Sequence, residues 1–202
     1  MNRTKIEWCD YTWNPVVGCK TGCPHCYARR INDRFHIIDK WDEPEFFPNR
    51  IEQPGLVNRP SKIFVVSMGD LFGDWIKSTW IHHIIESTFM YPQHEYMFLT
   101  KYPQRYRGFS FPSNCWLGAT VETKHGQLRL DYLELYDNSQ VKKYISAEPL
   151  LGDFNGVNLS FLDLVIVGAM TGPGAIKPQS EWINSIKHNN IFYKDNIIPY
   201  LT

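Results

Sequence analysis

The chain has no surplus charge of either sign: 21 basic and 21 acidic residues give a formal net charge of zero over 202 residues. Proteins that live on nucleic acid usually carry a basic excess to offset phosphates. Charge therefore lends that class no support, although a local patch would suffice for binding. No apolar run approaches the roughly 20 residues needed to span a membrane. Met1–Asp10 is polar and lacks the apolar core of a signal peptide. Repeats and low-complexity tracts are absent, which excludes solenoids and disordered tails. The cysteines number five, an odd count, and three of them fall within eight residues, poor spacing for a secreted disulfide scaffold. The expectation is a soluble, cytoplasmic protein in a reducing compartment, with no membrane partner.

What is present is an ordinary globular balance. Hydrophobic residues make up 43%, charged residues 21% and aromatics 15%, with seven Trp, enough apolar material for one domain over residues 1–202. Prolines at 44, 48, 54 and 60 mark a surface connection near 39–60. Elsewhere short apolar runs alternate with helix-like stretches. The runs are Val16–Val17, Ile63–Ser67, Tyr96–Thr100, Trp116–Val121, Lys143–Ser146 and Leu164–Gly168, with a weaker seventh at Ile191–Tyr193. Helical candidates cover Pro24–Ile38, Lys77–Tyr91, Pro103–Arg107, His125–Tyr136 and Gln179–His188.

Such alternation implies parallel strands joined by right-handed crossovers. The runs show little period-two alternation, as expected when both faces are covered. A complete eightfold barrel takes about 250 residues, so an α/β partial (β/α)6 TIM-like barrel fits this length better. The rival is an open doubly wound sheet. In either case ligands gather at the carboxyl ends of the strands.

After Val16–Val17 comes Gly18-Cys19-Lys20-Thr21-Gly22-Cys23-Pro24-His25-Cys26-Tyr27, with spacing C-x3-C-x2-C. Three thiolates this close can ligate three irons of one [4Fe–4S] cubane, leaving the fourth iron without a protein ligand. An open iron can chelate the amino and carboxylate groups of S-adenosylmethionine (SAM). Reductive cleavage of the sulfonium then yields methionine and a 5′-deoxyadenosyl radical, which abstracts hydrogen from a substrate. Two alternatives stand beside this. A structural zinc would recruit His25, His36 or Cys9 as fourth ligand. A redox-sensing iron–sulfur protein would keep the cluster and leave SAM intact. Cys115 falls in a predicted strand and reads as an ordinary buried thiol.

The cysteine spacing resembles the signature of the radical SAM superfamily, in which an aromatic residue usually precedes the third cysteine; here that place holds His25. More closely, the chain resembles a phage-associated, radical-SAM-like family of small proteins of unsettled function. The resemblance runs through Thr4-Lys5-Ile6-Glu7-Trp8, Thr12-Trp13-Asn14-Pro15, Cys23–Ala28, Ser67-Met68-Gly69-Asp70-Leu71-Phe72 and Leu99-Thr100-Lys101. It continues through Trp116-Leu117-Gly118, Glu148-Pro149-Leu150-Leu151-Gly152 and Gly172-Pro173-Gly174. The chain departs from the family at Cys9, where a Thr is usual. Ala169-Met170-Thr171 replaces a Gly-Glu-Ser-like segment, and Tyr193-Lys194-Asp195 replaces a Phe-Lys-Gln-Trp-like ending, so its substrate pocket is expected to differ.

The resemblance implies SAM contacts at the strand ends. Ser67, Gly69 and Asp70 lie where a glycine-containing segment meets the SAM amino group, although a turn aspartate reads equally well at Asp70. Lys101 could pair with the SAM carboxylate or be a solvated lysine before Pro103. Thr120 and Glu122 lie two apart and point the same way. Glu122 is placed to hold the ribose hydroxyls, or to cap the next helix. Glu148 is the candidate catalytic, substrate-facing acid. The Gly168 loop would let backbone approach the adenine, though its glycines do not form a dinucleotide fingerprint.

Arg29, Arg30 and Arg34, with Lys101, Arg105 and Arg107, read as a nucleic-acid edge or as solvated faces. Partners implied are a low-potential electron donor of flavodoxin or ferredoxin type and a separate three-cysteine-motif protein. The expected reaction is radical SAM chemistry on a base in nucleic acid, in modification or repair. The rival is a zinc-stabilised, non-enzymatic module binding nucleic acid or protein.

Overall fold

The apolar runs become strands wherever β-branched and aromatic residues can be covered on both faces. In the computed structural model, which describes residues 1–172 and 174–201, the elements run in a regular order. They are β1 Asn2–Arg3, β2 Tyr11–Trp13, β3 Val16–Val17, α1 Tyr27–Phe35, β4 Glu45–Phe46, β5 Lys62–Val65 and α2 Ser78–Met90. There follow β6 Glu95–Thr100, β7 Cys115–Thr120, α3 Gln127–Glu134, β8 Lys142–Ala147, β9 Leu164–Val167, α4 Ser180–Ser185 and β10 Ile191–Tyr193. Pro173, in the middle of the Gly172–Gly174 motif, lies outside the described residues.

The fold is α/β with a mostly parallel central sheet. Its order is β1-β2-β5-β6-β7-β8-β9-β10. Only the β1–β2 pair is antiparallel, and from β2 onward each strand pairs in parallel with the next along the chain. A doubly wound sheet reverses strand order at a switch point. This sheet has none, so that rival is set aside. Among the described residues the two edges do not pair, and no closed barrel is formed.

The two faces are covered differently. Ile63, Val65, Tyr96, Phe98, Leu117, Ile145, Val165 and Val167 share one core with Ile81, Ile84 and Ile85 of α2, Leu130 and Leu133 of α3, and Ile183 of α4. The alternate residues Phe64, Met97, Trp116, Tyr144 and Ile166 form a second core on the opposite face, and among the described residues no helix contributes to it. Its cover is Trp8, whose ring lies 4.7 Å from Phe64 and 6.3 Å from Tyr144.

The segment carrying Trp8 also ties distant strands together. Asp10 N–H donates to Lys62 O at the start of β5 (2.9 Å), while the Glu7 carboxylate accepts from Asp195 N–H just past β10 (2.7 Å). A flat sheet would separate β5 from β10 by roughly 24 Å at about 4.8 Å per strand. The three residues from Glu7 to Asp10 extend at most about 10 Å, and one glutamate side chain with two hydrogen bonds does not supply the rest. The sheet therefore curves around Trp8, and its inner face is the one Trp8 covers.

Two element assignments need correction. The first parallel strand is Tyr11–Trp13. Val16–Val17 lies beyond it and pairs with β4 in a separate two-stranded ribbon. The first helix begins at Tyr27 instead of Pro24, because a turn from Cys23 to Cys26 (Cys26 N–H to Cys23 O, 3.3 Å) occupies the preceding residues. The Pro-rich connection is more structured than its composition implies. It holds β4 and two 3-10 turns, and Arg50 O accepts from Trp13 Nε1 at 2.7 Å. No helix among the described residues is long and apolar enough to cross a membrane.

Candidate functional site

The three-cysteine loop follows β2 and precedes α1, so it sits at the carboxyl end of the first parallel strand. Backbone contacts hold its base. Gly18 N–H donates to Met68 O (2.9 Å), Cys19 N–H donates to Trp41 O (2.8 Å), and Gly18 forms a parallel bridge with Gly69. Gly18 has φ +107°, and a Cβ there would lie 2.8 Å from Pro44 Cα, so only glycine fits.

Cys19, Cys23 and Cys26 are all free thiols of intermediate exposure. Cys19 Sγ lies 3.1 Å from the Thr21 hydroxyl. Burial pushes its thiol up, while the Thr21 hydroxyl and N–H pull the other way. Cys26 is the N-cap of α1, and its Sγ accepts from Arg29 N–H at 3.3 Å. Among the described residues no three His, Cys, Asp or Glu side chains converge as a metal group would require. The donor set nevertheless fits an iron–sulfur cluster: three thiols of intermediate exposure on one glycine-flanked loop, with nothing within 4 Å of the Cβ position of Gly22.

Beneath the loop, the polar side chains expected to face a ligand also bond within the protein. The Ser67 hydroxyl meets the Asn14 amide (3.2 Å), and Asn14 Oδ1 also accepts from Met68 N–H (2.9 Å). Ser67 O accepts from the Tyr27 hydroxyl at 2.7 Å. Gly69 is glycine because a Cβ would lie 2.6 Å from Gly18 O. The buried Asp70 carboxylate accepts from the Thr100 hydroxyl, from Lys101 N–H (2.9 Å) and from Phe72 N–H (3.2 Å). It clamps two strand ends, as a turn aspartate does. Ser67, Gly69 and Asp70 thus each have a local role in the fold.

Lys101 and Glu122 come together, as their shared strand-end position implies. Lys101 Nζ pairs with Glu122, which also accepts from Arg129 (3.2 Å). Glu122 is not the cap of the next helical turn. That role falls to Thr123, whose hydroxyl accepts from His125 N–H at 3.1 Å. Thr120 continues the inner-face row of Trp116 and Gly118, and its carbonyl accepts from Arg129 (2.8 Å). Lys101, Tyr102, Glu122, His125, Arg129 and Tyr132 line a hollow of about 550 Å³. Of the remaining basic candidates, Arg105 donates to Gly73 O and Ile76 O, so it is not a free nucleic-acid contact.

On the far side of the same end, Glu148 pairs with Lys194. The stems of these two side chains cross over Gly168, where a Cβ would lie 3.0 Å from both Glu148 Cγ and Lys194 Cδ. Gly168 thus makes room for the ion pair. The pair is partly buried, at 13% and 28% side-chain exposure for Lys194 and Glu148. Lys194→Met is expected to cost about 1–3 kcal/mol, between exposed and buried pairs. In urea unfolding, the double variant Lys194→Met/Glu148→Leu is expected to cost less than the two single variants summed.

Sequence reasoning missed Asn14, Tyr27, Arg129 and Lys194. Asn14 and Tyr27 lie inside the motif segments, a signal that could have found them; Arg129 carries none. The Tyr27 hydroxyl is made less acidic by burial, with Glu148, Cys26 and Cys9 nearby. The Cys9 thiol, packed against the inner core, is pushed up to about 12, chiefly by burial. Cys115 is a buried thiol in β7, 3.6 Å from the Thr88 hydroxyl.

No curated protein and no solved structure matches the chain. One family model does, over residues 3–196, under the description "Protein of unknown function (DUF5131)". That match covers nearly the whole chain, which therefore belongs to this family.

Proposed function

We propose that this protein is a radical SAM enzyme built on a partial barrel. The observation that carries this reading is the position of the three-cysteine loop. It follows the first of seven parallel strands arranged in chain order, on the rim where Lys101, Glu122, Glu148 and Lys194 also lie. Helices on one face and a curved inner face plugged by Trp8 suit a barrel of that type.

Cys19, Cys23 and Cys26 would hold a [4Fe–4S] cluster. Bound there, that group supplies the electron that splits the sulfonium C–S bond of SAM, giving methionine and a 5′-deoxyadenosyl radical that abstracts hydrogen from the substrate. The remaining work belongs to side chains. Glu122 retains free carboxylate lone pairs beside the hollow and would accept from the ribose hydroxyls. Lys101 holds Glu122 in place and has further N–H donors for the SAM carboxylate. Glu148, oriented by Lys194, would bind or orient the substrate. The sheet edges do not pair, which leaves room for a large substrate; a base in nucleic acid is our reading of its class. A three-cysteine-motif protein is proposed as a partner, and a flavodoxin or ferredoxin as the reductant.

The test is anaerobic reconstitution with iron and sulfide, then dithionite and SAM, with 5′-deoxyadenosine as the readout. Formation of 5′-deoxyadenosine by the reconstituted protein supports the proposal. Stoichiometric zinc in place of iron, with SAM intact, overturns it in favour of a binding module. A four-iron protein that leaves SAM intact, with substrate candidates and partner present, points to a redox sensor.

A further inference from the structure

Two layers of the fold build the rim hollow of about 550 Å³. Lys101 and Glu122 reach it from just past the ends of β6 and β7, and Leu128, Arg129 and Tyr132 reach it from α3. Its volume suits a small ligand. Arg129 is its fixed point. Nη1 of Arg129 donates to Thr120 O (2.8 Å) and to Glu122 (3.2 Å), which uses both Nη1 hydrogens. Among the described residues Nε and Nη2 have no partner. These two nitrogens form the side-on edge of the guanidinium, the pair of donors that grips an anion bidentately. The fork is therefore held by one nitrogen and open along the other two, in a side chain that remains 31% exposed. Lys101 spends one ammonium hydrogen on Glu122, and the exposed His125 ring bonds to nothing among the described residues. Three basic side chains thus meet one carboxylate. Other carboxylates on the surrounding elements are engaged elsewhere: Asp70 with Thr100 and Lys101 N–H, Asp131 with Gln127 (2.7 Å) and Asp153 with Lys124 (3.2 Å). Beside the fork the wall turns apolar. Leu128 and Tyr132, at i and i+4, share a face of α3, and Leu128 is 63% exposed.

We infer that this hollow binds a nucleotide by its terminal phosphate, held on the Nε–Nη2 edge of Arg129, with the base against Tyr132 and Leu128. A phosphate monoester carries close to two negative charges, which suits three basic groups set against one acid. The planar fork matches its oxygens in pairs. A tyrosine ring beside an exposed leucine gives the flat, apolar part of the ligand a surface that water leaves readily. The site goes beyond the radical SAM reading, because the donors it uses lie on α3 and not on the cysteine loop. Two sources share this chemistry: a free mononucleotide, and the 5′-phosphorylated end of a single strand.

The probes are the four deoxynucleoside 5′-monophosphates and the matching nucleosides, titrated into the purified protein by calorimetry. At least one monophosphate is expected to bind about tenfold or more tighter than its nucleoside, the worth of a charge-assisted bidentate contact. Arg129→Gln is expected to erase that difference. Arg129→Lys should fall in between, because an ammonium keeps the charge without the fork. Tyr132→Ala is expected to weaken nucleotide and nucleoside alike. An Arg129 that only held Glu122 in place would not distinguish the two ligands. An oligonucleotide with a 5′-phosphate, set against the same strand without it, tells the sources apart. A preference for the phosphorylated strand that depends on Arg129 assigns the site to strand ends, and binding of the monophosphate alone assigns it to a free nucleotide. The proposal is overturned if no monophosphate binds, if nucleotide and nucleoside bind equally to the wild-type protein, or if Arg129→Gln leaves the nucleotide Kd unchanged. Displacement of the bound nucleotide by excess SAM also overturns it and gives the hollow to SAM. No readout involves SAM cleavage, so the enzymatic reading stands or falls on its own test.

Discussion

Cys23→Ala protein, reconstituted with iron and sulfide and given dithionite and SAM, will release 5′-deoxyadenosine only at the level of a protein-free blank. Cys19→Ala and Cys26→Ala will do the same. A cubane with three protein ligands and one open iron has no ligand to spare. Cys9 packs against the inner core, and burial pushes its thiol up. Iron and sulfide analysis with an absorbance spectrum measures assembly apart from turnover. A full four-iron complement with SAM cleavage in any of the three variants would remove that cysteine from the ligand set. Cys115→Ala serves as the control, because its buried thiol contacts Thr88 far from the loop, and it should retain the cluster.

Trp8→Ala will cost about 3–5 kcal/mol of stability, the usual range for deleting a large buried aromatic. Trp8 is 7% exposed and is the only residue of the N-terminal segment fully packed into the inner core, between Phe64 and Tyr144. Removing it empties the space around which the sheet curves, and it loosens the segment whose Glu7 reaches Asp195. Trp8→Phe should cost much less. Among the described residues the buried indole Nε1 has no hydrogen-bond partner, so deleting it forfeits no bond there and relieves a desolvated donor. Urea unfolding followed by circular dichroism separates the two variants through the midpoint at unchanged slope. A cost for Trp8→Ala below about 1 kcal/mol, the level of an ordinary surface change, would mean that Trp8 does not support the inner face.

The strands β5 to β9 were legible because each carries an apolar run mostly buried on both sides, and such burial leaves a continuous apolar signature. Tyr11–Trp13 was not legible. It is three residues long and carries a central Thr. Its place in the sheet is fixed by remote partners: Val66 N–H bonds Trp13 O, and Trp13 Nε1 bonds Arg50 O. Val16–Val17 has the stronger strand propensity but was captured by Phe46 and Glu45 instead. Propensity names a strand-former without naming its neighbour.

The same division runs through the candidate site. The spacing of Cys19, Cys23 and Cys26 is local, so the sequence by itself determined which thiols share a loop, while the parallel strand before that loop, Tyr11–Trp13, was a tertiary assignment. The fate of every polar group nearby was a tertiary decision. A buried carboxylate or hydroxyl takes whatever donor the fold brings within reach. Thus Asp70 went to Thr100 and Lys101, Ser67 to Asn14, and Gly168 yielded its space to Glu148 and Lys194, partners 20 to 53 residues apart in pairs that no local pattern encodes.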